Sequence, residues 1–225
     1  MFETEFQGPV AIAQGSTHEG VAEGVLWADE QMRPGQKVTC WFPSQATYTG
    51  ELTPRSLDRT PGFQVCISKD VTILNASGPV LAFYANPKDI SRLMATRDMT
   101  ALCVLYWSDP LETWSELLGA QRLTTHIDPT RGLGREEEPP LTDGMIEALD
   151  NTGTQLNQSN SVDGGYEKRD LLNGLKNLKT EYGQLPASRM AQWAMARGWK
   201  RDNPMRLEQM VKDLNAGKQL RAPRI

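Results

Sequence analysis

The sequence predicts an α/β protein: an N-terminal Rossmann-like domain with a mostly parallel sheet of four or five strands, followed by a small all-α C-terminal domain. Three observations carry this. Residues 80–84 and 101–107 are apolar almost throughout, and each run leads into a helix-start signal, Asn86-Pro87-x-Asp89 and Asp109-Pro110-x-Glu112. Strands that lack polar alternation are covered on both faces, the condition of a parallel sheet with helices packed on either side. From about residue 166 onward the apolar positions follow a helical period alone.

The elements can be taken in order. P-V-A-I-A (9–13) reads as a short strand, and a helix from about Thr17 to Met32 follows, opened by a Ser16-x-x-Glu19 capping box and carrying Val21, Val25, Ala28 and Met32 on one face. K-V-T-C-W-F (37–42) and F-Q-V-C-I-S (63–68) are rich in β-formers, and V-T-I-L (71–74) reads as a further short strand. The two β-α units complete the domain, their helices burying Ile90, Leu93 and Met94, then Leu111, Trp114, Leu117 and Leu118.

Domain boundaries follow from composition. Residues 1–125 form the α/β domain, and 126–141, rich in proline, glycine and charge without periodicity, form a linker. Residues 142–225 form the helical domain. It holds a helix from Thr142, a polar loop at 152–165, and helices at about Glu167–Tyr182, Ala187–Arg197 and Pro204–Ala216. At the second helix end, Gly198 fits the position just past the helix and Trp199 folds back on Trp193 or Ala194. Asn203 and Pro204 are expected to cap and open the helix that follows.

Hydrophobic residues make up 39% and charged residues 23% of the 225, which suits a globular chain with a real core. No apolar run approaches the roughly 20 residues of a membrane helix. The start, M-F-E-T-E-F, is acidic where a secretory signal is basic and then apolar, so the expected location is the cytoplasm. Cys40, Cys66 and Cys103 are odd in number, widely spaced and set in apolar runs, which argues against a disulfide framework and against a C-x-x-C metal pair.

Charge divides the chain. Residues 166–225 hold 13 Lys+Arg against 6 Asp+Glu, and residues 1–165 hold 11 against 22. Nucleic-acid affinity depends largely on clustered cations, since each neutralised phosphate releases condensed counterions. The leading expectation is therefore a non-enzymatic binding or regulatory protein whose helical domain contacts nucleic acid, DNA in preference to RNA. The residues chosen for that contact are Lys168, Arg169, Arg189, Arg197, Lys200, Arg201 and Arg206. The α/β domain is expected to mediate assembly, with itself or another protein, or to sense a ligand.

A rival expectation is an α/β enzyme acting on a nucleotide or phosphorylated substrate. Ligands of open parallel sheets sit at the carboxyl ends of the strands, which here carry Ser44, Gln45, Asn86, Ser108 and Asp109. A third is a protein-protein adaptor using Trp41, Tyr48 and Trp107. Catalytic residues are not assigned. The two histidines, His18 and His126, lack a nucleophile elbow, and Gly15, Gly20 and Gly24 fit neither G-x-G-x-x-G nor the P-loop pattern. Glu136-Glu137-Glu138 reads as a solvated linker segment, and no ligand spacing supports a cation between Asp128 and Glu138. No cofactor or metal is expected.

Overall fold

A computed structural model of the chain describes residues 6–54, 56–68, 76–107, 111–124, 138–155, 162, 165–199 and 202–221. The strand expected at 71–74 lies outside them. The chain divides into two compact units, within Glu5–Arg135 and Glu136–Ile225.

The first unit is a six-stranded parallel sheet with helices. Its elements are β1 (Val10–Gln14), α1 (His18–Glu30), β2 (Val38–Phe42), α2 (Gln45–Tyr48), a 3-10 turn (Leu57–Arg59), β3 (Phe63–Ile67), β4 (Pro79–Phe83), α3 (Pro87–Leu93), β5 (Ala101–Tyr106), α4 (Glu112–Leu117) and β6 (Gln121–Arg122). The strand order is β3-β2-β4-β5-β1-β6, with every pairing parallel. It is doubly wound, as expected, but the order is not the 3-2-1-4-5-6 of dinucleotide-binding domains.

The sheet has one strand more than the sequence pattern implies. β6 is two exposed polar residues, Gln121 and Arg122, set beside Ala11 and Ile12 of β1. So short and polar a strand has no hydrophobic signature; it is held by backbone pairing and by Trp27 Nε1 donating to Gln121 Oε1 at 2.9 Å.

β2, β4 and β5 are buried at every position, which confirms cover on both faces. One face carries Ala11, Ala13, Cys40, Phe42, Leu81, Phe83, Cys103 and Leu105, packed against Val21, Trp27 and Ala28 of α1 and Leu57 of the 3-10 turn. The alternate positions, among them Ile12, Trp41, Val80, Leu102 and Val104, are equally buried. Right-handed crossovers place α3 and α4 over these, and the two helices are tied together by Trp114 Nε1 donating to Met94 Sδ at 3.3 Å.

Helix starts agree with the sequence reading at one place and differ at three. Asn86 and Asp89 form the expected capping box with Pro87 in the first turn. The cap of α1 is Thr17, whose side chain accepts from Gly20 N at 3.1 Å; Ser16 instead accepts from the Gln14 amide. α4 starts at Glu112 behind Leu111, which adopts a left-handed φ of 50°, two residues later than the Asp109-Pro110 signal places it. Asp109 and Pro110 themselves lie outside the described residues. α8 is preceded by Asp202, and Asn203 turns its side chain to accept from Val162 N instead of capping its own helix.

The helical unit comprises α5 (Asp143–Gln155), α6 (Gly165–Tyr182), α7 (Ala187–Ala196) and α8 (Asn203–Asn215). Leu171, Leu172, Leu175 and Leu178 of α6, and Leu207, Met210, Val211 and Leu214 of α8, are buried as their spacing requires. α7 is buried along almost its whole length, from Met190 to Ala196 without a break. A helix apolar all round is an internal one. Asn215 fastens the end of α8 to the segment before α7, accepting from Leu185 N and donating to Leu185 O.

The α7 ending has the double hydrogen bond of a Schellman motif. Trp199 N donates to Ala194 O and Gly198 N to Met195 O, with Gly198 at φ 73°. The Trp193 and Trp199 rings meet edge to face at 5.5 Å, the apolar contact that accompanies such an ending. No helix among the described residues is long and apolar enough to cross a membrane.

Candidate nucleic-acid interface

Of the strand-end rim residues, two serve as helix caps. Ser44 accepts from Thr47 N at 3.1 Å and shares a hydroxyl bond of 2.8 Å with Thr47, so it caps α2. Asn86 accepts from Asp89 N at 3.0 Å, capping α3. Burial pushes the Asp89 carboxyl up, against the bond from Asn86 and the charges of Arg92 and Lys88. Gln45 is exposed in the first turn of α2. Ser108 and Asp109 lie outside the described residues. Helices of four and seven residues contribute little dipole, and their orphan N–H groups are already met by these side chains.

The glycines at the start of α1 serve packing. A Cβ on Gly20 would stand 2.0 Å from Gln14 O, and one on Gly24 2.6 Å from a Leu105 methyl. α1 therefore lies directly on the sheet, and the glycines admit it rather than an anion. Of the aromatics expected on the surface, Trp41 is wholly buried and Tyr48 partly so. Trp107 is 52% exposed and meets the Tyr84 ring edge to face at 5.2 Å. No group of His, Cys, Asp and Glu among the described residues could hold a metal ion.

Several cations of the helical unit are bound to carboxylates or held at helix ends. Arg197 Nε and Nη2 donate to the two Asp150 oxygens, both at 2.7 Å, and Trp193 Nε1 donates to Asp150 Oδ1 at 3.0 Å. The Arg197 guanidinium holds the Asp150 carboxyl below the usual range, and Asp150 in turn raises Arg197. Arg169 lies 4.9 Å over the Tyr166 ring and 3.4 Å from Asp170. Arg189 is half-buried in the first turn of α7, its backbone N–H donating to Glu138.

Glu138 is a correction to the reading of the acidic run as solvated linker. It accepts from Ser188 N at 3.0 Å and from the Ser188 hydroxyl at 2.6 Å, capping α7 from outside the helix. Pro186 precedes α7 and supplies no side-chain cap, so a carboxylate 50 residues away in sequence takes that place.

Three cations come together in a groove of about 430 Å³, formed by α6, α8 and the segment after α8. Lys168, Arg206 and Arg221 line it, with Leu172, Met210 and Leu220 as its apolar part. Its carboxylate, Asp213, is occupied by Lys218 Nζ at 2.7 Å and by Gln209 Nε2 at 3.0 Å, and the Lys218 ammonium holds it below the usual range. Lys168 and Arg206 were both expected at a nucleic-acid contact; Arg221 and the two glutamines, Gln209 and Gln219, were not. Their signal was present in the spacing of Arg206, Gln209 and Asp213, which puts them on one face of α8. What the sequence lacked was the segment after α8 turning back over that face. Lys200 and Arg201 lie outside the described residues.

The charge division also changes once the units are known. The expected domain, residues 142–225, has 13 Lys+Arg against 10 Asp+Glu, and residues 136–225 have 13 against 13. By count, the excess at 166–225 is offset by Glu136–Glu138, the three carboxylates of α5 and Asp163, so Lys168, Arg206 and Arg221 are a local concentration of positive charge in a neutral stretch of chain.

Residues 144–224 match a family model described as Domain of unknown function (DUF1889), a stretch that runs from the first turn of α5 through α8 and contains every residue lining the groove. No curated protein and no solved structure matches the chain.

Proposed function

We propose that this protein is a non-enzymatic nucleic-acid-binding protein, with a regulatory role, whose helical unit grips phosphate through the groove between α6 and α8. The observation that carries the reading is the convergence of Lys168, Arg206 and Arg221 on one concavity whose carboxylate is already paired with Lys218. Three cations on one groove suit a run of phosphates better than a single carboxylate. The α/β unit, with its rim side chains used as helix caps, serves assembly or ligand sensing.

The test uses the full chain and fluorescence anisotropy of labelled duplex and single-stranded DNA and RNA, between about 50 and about 200 mM salt. Binding that weakens steeply with salt is expected. Combined Lys168→Ala, Arg206→Ala and Arg221→Ala substitution should flatten the log-log salt dependence by about 2 to 3 units, one for each lost phosphate contact. Absence of binding to every probe at the lower salt would overturn the proposal.

A further inference from the structure

The groove is concave and has an apolar floor, and these two properties select among nucleic acids. A duplex keeps its bases stacked inside and offers phosphates on a convex surface, so Leu220 and the edge of Met210 would have nothing to bury against it. A single strand can turn a base outward. Its apolar faces then find an apolar surface while its phosphate remains at the rim. At about 430 Å³ the groove falls within the roughly 300–1,000 Å³ of sites that hold small ligands, enough for one nucleotide and far too little for a helix backbone.

We propose that the groove binds one nucleotide of a single strand, with the base against Leu220 and the edge of Met210 and successive phosphates of the strand on Lys168, Arg206 and Arg221. This rests on the reading of the helical unit as a nucleic-acid contact and names the form of nucleic acid it takes. Met210 is buried and fixed on α8, whereas Leu220 is half-buried on the segment after it, so the floor combines a rigid side with one that can be changed without cutting into the core.

The experiment measures binding of the full chain to three labelled probes of about 12 nucleotides: a mixed-sequence single strand, its duplex, and an abasic strand with the same number of phosphates. The base-bearing strand should bind about tenfold more tightly than the abasic strand, and more tightly than the duplex. Leu220→Ser, which leaves charge unchanged, should weaken the base-bearing strand several-fold and leave the abasic strand unaffected. Arg206→Ala should weaken both strands alike, and circular dichroism should show each variant folded. Equal affinity for the base-bearing and abasic strands, or for strand and duplex, overturns this inference and leaves phosphate binding standing. No binding to any probe overturns both.

Discussion

Replacing Asp150 by asparagine removes the charge from a bond that joins α5 to the end of α7. Asp150 accepts two short hydrogen bonds from Arg197 and one from Trp193. Charge-assisted bonds of this kind contribute about 1.5–3 kcal/mol where they are shielded from water. Here the side chains are 38% and 31% exposed, so solvent screening lowers the figure to about 1–2 kcal/mol for the pair. The sign of the pH effect follows from the direction of the shift. Arg197 holds the Asp150 carboxyl below the unfolded value of about 3.9, so the stabilisation is complete above that value and is lost as the pH falls through the folded-state pKa.

The assay is urea unfolding followed by tryptophan fluorescence, because Trp193 is bonded to Asp150 and packed on Trp199. With a urea slope of about 1–2 kcal/mol per M, Asp150→Asn should lower the midpoint of the helical unit's transition by about 1 M at pH 7. The difference from the native sequence should narrow between about pH 5 and about pH 2. Arg197→Lys in the native sequence should cost part of the same amount, since an ammonium cannot reproduce the planar fork. Equal midpoints at pH 7, or a difference that persists unchanged into acid, would refute the reasoning.

Two glycine substitutions should act in opposite directions. Gly20→Ala places a methyl 2.0 Å from Gln14 O and should cost at least about 2 kcal/mol, lowering the melting temperature of the α/β unit; a neutral effect would contradict the close packing of α1 on β1. Gly153→Ala meets only Trp193 ring atoms, at 3.6 Å, and should stabilise α5 by about 0.5–1 kcal/mol through helix propensity, a gain read in the same melt. Thiol chemistry should be equally selective. Burial pushes the Cys40 thiol up to about 12 and raises Cys103 and Cys66 as well, but Cys40 and Cys103 are wholly buried whereas Cys66 is half-exposed on β3. Iodoacetamide at pH 8 should therefore modify Cys66 alone in the native protein and all three in urea, as mass spectrometry would show; labelling of native Cys40 would contradict the burial of β2.

Much of the architecture was legible because it is written in local pattern. The unalternating runs at 80–84 and 101–107 can only be strands covered on both faces, and Asn86-Pro87-x-Asp89 is a helix start in any setting. Gly198 and Trp199 likewise encode a helix ending within six residues. β6 and α2 were not legible, being too short to carry a period. The choice between Ser16 and Thr17 as cap was decided by how β1 delivers the chain to α1, since either hydroxyl satisfies the sequence signal.

The candidate site divides in the same way. The sequence by itself determined the residue types, three cations and an apolar stripe on helices, because charge and period are properties of the chain. Only the tertiary structure decided which cations converge and on what. Arg197 is bound to Asp150, 47 residues away, and α7 is capped by Glu138, 50 residues before Ser188. Lys168, Arg206 and Arg221 meet although they span 53 residues, because α6, α8 and the following segment pack side by side. The physical reason is that a charge's effect depends on what lies within a few ångströms of it, and distance along the chain does not fix that distance in space.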